Sequence, residues 1–67
     1  MKKDIIKATQ AYLEAGIEIH KANINIMLNN PMAIHDHTDF MGALDAELGK
    51  MSEYRDKLET LNSYWKS

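Results

Sequence analysis

Cysteine is absent from this 67-residue chain, which removes disulfides, thiolate zinc sites and a cysteine nucleophile together. Proline appears once, as Pro31, and glycine three times, so few breakers interrupt the segments on either side of Pro31. No apolar run approaches the roughly 20 residues that span a bilayer. The lysines of MKKDII are followed by neither an unbroken apolar segment nor a small-residue cleavage site, so a secretory signal is not expected. A large excess of charge is lacking too. The net charge is −2, without the concentrated cationic face that phosphate backbones demand. There is no Gly-rich phosphate loop and no serine set beside a histidine on a tight turn. These absences predict a cytoplasmic protein that is not an enzyme, carries no cofactor and engages neither membrane nor nucleic acid.

What is present is the composition of a folded domain, 45% apolar and 27% charged. Length is the difficulty. Below roughly 70–80 residues a single core seldom supplies more than about 3–5 kcal/mol. With disulfides excluded, the remedies are a partner chain or, second, a metal held by histidines and carboxylates. Four cations and three anions leave residues 1–30 at +1, while four cations and seven anions leave residues 31–67 at −3. Antiparallel neighbours can use that mild split.

Before Pro31 the period is helical. Ile5, Ala8, Tyr12, Ala15, Ile19, Ala22 and Ile26 are spaced alternately by three and four, which makes a heptad seam. Large residues hold one seam position and alanine the other, so a neighbouring helix can approach towards the short end of the interaxial range. Tight antiparallel packing is predicted there. A second stripe, Ile6, Leu13, Ile17, Ile24 and Met27, runs beside the first. Together they cover more than half of the helix, a wider face than one hairpin partner needs. A second neighbour, from another chain, is therefore predicted.

Between the stripes lies a column of Thr9, Gly16 and Asn23, with His20 close by. Gly16 costs about 1 kcal/mol of helix propensity relative to alanine, which marks a close backbone approach or a void that something fills. Asn23, if buried, needs a partner. Either it fixes the register of a bundle, or it lines a polar ligand pocket with His20 and Glu47.

After the loop, Phe40, Leu44, Leu48, Met51, Tyr54, Leu58, Leu61 and Trp65 again repeat by threes and fours. The opposite face carries Asp45, Lys50, Glu53, Asp56, Lys57 and Glu59, with Glu53–Lys57 and Arg55–Glu59 as solvated i,i+4 pairs. Glu47 falls between Leu44 and Met51 where an apolar residue is expected. It either reaches the rim or is a carboxylate needing a histidine or lysine partner. Tyr64 and Trp65 are large for a helix end and suit packing on a partner subunit or a docking patch. Leu58 and Trp65 join the seam of the first helix in the expected oligomer interface.

The connecting stretch reads NNPMAIHDHTDF. Pro31 disfavours helix in the residue before it, and Asp36 or Thr38 can cap the second helix, with Asp39 placed to complete a capping box. His35 and His37 are two apart, a spacing that chelates one ion only in an extended stretch. They are the candidate metal ligands, weak without a third.

Glu53 and Asp56 resemble half of the magnesium-holding cluster of all-α nucleotide pyrophosphatases, but the other half is missing, since Glu14 and Glu18 are four apart. His35-Asp36-His37 resembles the second-helix start of RNA-binding hairpin dimers that control plasmid copy number. A first helix offering mainly Lys7, Glu14, Glu18 and Lys21 lacks their basic face, and the function is not carried over. The run HDHTDFMGALDAELGKMSEYRDKLETL, from His35 to Leu61, resembles short uncharacterised helical-hairpin proteins of tailed phages, a resemblance that implies no activity.

The expectation is an all-α protein. A two-helix antiparallel hairpin, with helices over about 3–29 and 38–65 and a loop over about 30–37, should pair with itself as a homodimeric four-helix bundle or a higher even oligomer. It should act through its surface on itself and on another protein. The alternative is a bundle that binds a metal or small ligand through its histidines and polar seam residues.

Overall fold

A computed structural model describes residues 1–30 and 37–65, with the side chains of 37 and 38 left aside. The described residues form two helices, α1 (Lys2–Asn29) and α2 (His37–Trp65), and no strand. α1 ends where the backbone of Asn30 leaves helical geometry at φ −136°, ψ 54° while its N–H still donates to the Ile26 carbonyl at 3.1 Å. Pro31 comes next, and the ring of a proline forces this departure on the residue before it. Asp39 lies in the first turn of α2, where its charge meets the positive end of the helix dipole.

The helices pack antiparallel. Gln10 meets Asn62, Gly16 meets Tyr54 and His20 meets Glu47, so positions rise along α1 as they fall along α2. The inward face of α1 is the second stripe with the polar column. Leu13 and Gly16 are buried; Ile6, Ile17, His20, Ile24 and Met27 are half-buried. Across from them Phe40, Leu44, Glu47, Met51, Tyr54, Leu58 and Leu61 are half-buried on α2.

The two described helices lie side by side in a rod of 49 × 15 × 12 Å. Among the described residues Leu13, 5% exposed, is the one buried hydrophobic side chain, and none is fully enclosed. The regular seam of α1 is uncovered: Ile5, Tyr12, Ile19 and Ile26 are 60%, 65%, 57% and 62% exposed, and Ala8, Ala15 and Ala22 are exposed between them. No described helix is long and apolar enough to cross a membrane.

Candidate functional site

Two features stand out, a polar cluster inside the hairpin and the bare seam outside it. The cluster exists because Glu47 takes an apolar position on α2 at the level where α1 presents His20 and Asn23. Glu47 Oε1 accepts from Asn23 Nδ2 at 2.8 Å and lies 2.8 Å from His20 Nδ1. A carboxylate only accepts, so Nδ1 is the ring nitrogen that carries the proton. The bonds from His20 first and Asn23 second hold the Glu47 carboxyl below its usual 4.5, against partial burial, which pushes it up.

His20 also stacks on Tyr54, ring centroids 5.8 Å apart at 21°, and Tyr54 meets the edge of Tyr12 at 6.1 Å and 74°. Tyr54 in turn explains Gly16. A Cβ on Gly16 would stand 2.6 Å from Cγ and Cδ1 and 2.7 Å from Cδ2 of the Tyr54 ring. The close approach is to an aromatic ring, not to backbone.

Of the residues expected to line a ligand pocket, the structure therefore brings His20, Asn23 and Glu47 together, with one carboxylate oxygen bonded to both of the others. An ionised carboxylate that already accepts from two donors is a poor proton acceptor for a substrate. Among the described residues no group of three or more histidines, aspartates or glutamates is placed to hold a metal ion. His35 lies outside the described residues, as does the side chain of His37, so the proposed metal pair lies outside them as well.

One cross-link is not signalled by the sequence pattern. Gln10 Nε2 donates to Asn62 Oδ1 at 2.7 Å across the hairpin near its open end. Both residues border apolar stripes, where an amide looks solvated, and only their opposition in an antiparallel pair shows otherwise. Tyr64 and Trp65 contact each other, with centroids 5.6 Å apart, and stay largely exposed.

The bare seam borders shallow grooves between the helices. One is lined by Asn23, Ile26, Met27, Ala43, Ala46 and Glu47 and is almost wholly apolar. Another, more polar, is lined by Tyr12, His20, Lys50, Glu53, Tyr54 and Lys57. Ile26 and Tyr12 thus belong both to the seam and to grooves floored by α2. No protein-family model, curated protein or solved structure matches the chain.

Proposed function

We propose that this chain is a self-assembling helical hairpin, working as an interaction or accessory protein without catalysis of its own. The single observation that supports this reading is the uncovered seam of α1. It is the most regular apolar feature of the sequence, and the hairpin turns it to solvent while burying one hydrophobic side chain, Leu13, among the described residues. Soluble monomers rarely expose a contiguous apolar strip of this kind, and such strips mark association surfaces. A second hairpin laid on the seam and on the groove floored by Ala43 and Ala46 makes a homodimeric four-helix bundle. In that reading the His20–Asn23–Glu47 cluster fixes register, as polar groups set into apolar interfaces do. Its closure upon itself favours that role over a ligand pocket.

Native mass spectrometry of untagged protein tests the proposal. A dimer, or a higher even oligomer, at the mass of the bare chains is the expected result. A monomer overturns it, and a stoichiometric added mass moves the reading to ligand or metal binding.

A further inference from the structure

From the spacing of the bare seam we infer that the partner seated on it is a second copy of α1 running antiparallel, with the two-fold axis between Leu13 and Glu14. This rests on the self-assembly proposed above and adds which helix docks, in which direction and in which register.

The seam has two alternating positions. Ile5, Tyr12, Ile19 and Ile26 occupy one, and Ala8, Ala15 and Ala22 the other; Met1, seven residues before Ala8, falls on the alanine position. In a parallel pair each residue faces its own copy. Tyr12 then meets Tyr12 and Ala15 meets Ala15, so wide layers alternate with gaps, and close-packed interfaces tolerate neither. Reversing one helix sets the large position against the small one. Around an axis between Leu13 and Glu14, Ile5 lies opposite Ala22 of the second copy, Ala8 opposite Ile19, and Tyr12 opposite Ala15. Every large residue from Ile5 to Ile19 gains an alanine to seat in, and Ile26 meets Met1.

The next antiparallel register, one heptad step along, is poorer. It pairs Ala8 with Ile26, Tyr12 with Ala22 and Ala15 with Ile19, but leaves Ile5 against the polar Asn29. The first register is the one that matches all seven seam residues with apolar partners.

The flanks agree with this arrangement. On one side the seam is bordered by Lys2, Thr9, Gly16 and Asn23, and in the inferred register the single charge, Lys2, falls nearest Asn23 of the second copy. On the other side Ala11 and Asn25 alternate with Asp4 and Glu18. In the inferred register Asp4 falls nearest Asn25 of the second copy, and Glu18 nearest Ala11. No like charges are pressed together, which would otherwise oppose association. The seam from Met1 to Ile26 is roughly 38 Å long at the rise of an α-helix, so the contact runs along most of the 49 Å rod.

The chain has no cysteine, so introduced thiols report the register directly. A disulfide needs Cα atoms within about 4.4–6.8 Å, which only directly opposed residues on tightly packed helices satisfy. Ile5→Cys and Ala22→Cys are made as separate proteins, mixed, oxidised and run without reductant. Cross-linked dimer is expected in the mixture and in neither protein alone. Ala8→Cys mixed with Ile19→Cys should behave the same way, so one variant that folds poorly does not remove the test. Circular dichroism checks that each variant stays helical.

Cross-linking of Ala22→Cys with itself would establish a parallel pair and overturn the inference. Cross-linking of Ala22→Cys with Tyr12→Cys in place of Ile5→Cys would establish the shifted register and overturn it too. If no pair cross-links while the parent chain is a dimer by light scattering, the second copy docks on another face; self-assembly then stands and this inference fails. If the parent chain is a monomer, both fail.

Discussion

The two apolar stripes of α1 differ in a way opposite to what their regularity suggests. Ile6, Leu13, Ile17, Ile24 and Met27, the looser stripe, take the contact with α2 and share it with Thr9, Gly16 and His20. The large residues of the stricter stripe, from Ile5 to Ile26, stay more than half exposed, touching α2 through the edge contact of Tyr12 with Tyr54. A contact between two different helices can be irregular, because each side adapts to the other: Gly16 makes room for the Tyr54 ring, and His20 and Asn23 answer Glu47. A contact between identical helices has no such freedom, since every adjustment appears twice. In the proposed dimer, alternation of large and small residues makes the stripe complementary to its own reversed copy.

The strongest way to break the comparison is to charge the outer stripe. Ile19→Glu leaves the hairpin contact untouched and places a carboxylate where the proposed dimer seats an isoleucine. Fully burying an isoleucine is worth about 1.5–3 kcal/mol, and the change occurs twice in each dimer, so the dissociation constant should rise at least a hundredfold. Light scattering should fall to the monomer mass. Cooperative melting should fade with it, because a hairpin with so little buried inside has slight stability of its own. Unchanged mass at micromolar concentration would mean the outer stripe is not the interface.

On the inner stripe the largest single effect should come from Leu13→Ala. Removing a buried leucine costs about 2–5 kcal/mol, and Leu13 is the most enclosed hydrophobic side chain among those described. Urea melts at several protein concentrations separate the two stripes. Leu13→Ala should lower the midpoint at every concentration while keeping its concentration dependence, whereas Ile19→Glu should abolish that dependence.

A finer test concerns Gly16. Alanine there gains about 1 kcal/mol of helix propensity but drives a methyl into the Tyr54 ring near its root, where overpacking costs about 1–3 kcal/mol. The net result should be a loss of about 1 kcal/mol in a denaturant melt. In a Tyr54→Ala background the same change should turn neutral or stabilising. A stabilising Gly16→Ala in the parent chain would show that the ring yields easily.

The two helices were legible in the sequence because the three-and-four spacing runs unbroken on both sides of Pro31. Which stripe of α1 faces α2 was not legible, since both stripes are apolar and adjacent. The deciding residues were the ones that looked like blemishes. Gly16, His20, Asn23 and Glu47 mark the inner face because a glycine needs a bulky ring opposite and a carboxylate needs donors, and α2 and α1 supply them reciprocally. The position of Glu47 left open whether it reaches the rim or needs a histidine or lysine partner; the Gln10–Asn62 bond could not be read at all, because nothing in an amide bordering an apolar stripe distinguishes a solvated group from a bonded one.

The smallest effect is the most specific to the inner contact. The hydrogen bonds from His20 and Asn23 lower the pKa of Glu47 in the folded chain below its usual 4.5. A carboxyl lowered in this way contributes stability that is fully present above 4.5 and is lost as pH falls through the folded value. Glu47→Gln removes the titration and keeps an acceptor for Asn23. The parent chain should therefore melt higher than the variant at neutral pH, and the two melting curves should converge below the ordinary carboxylate range. Ile19→Glu carries no such signature at position 47, so the convergence should persist in a double variant wherever residual helix can still be followed. Parallel curves at all pH values would show that Glu47 is held by shape alone and that its two donors contribute nothing to the folded state.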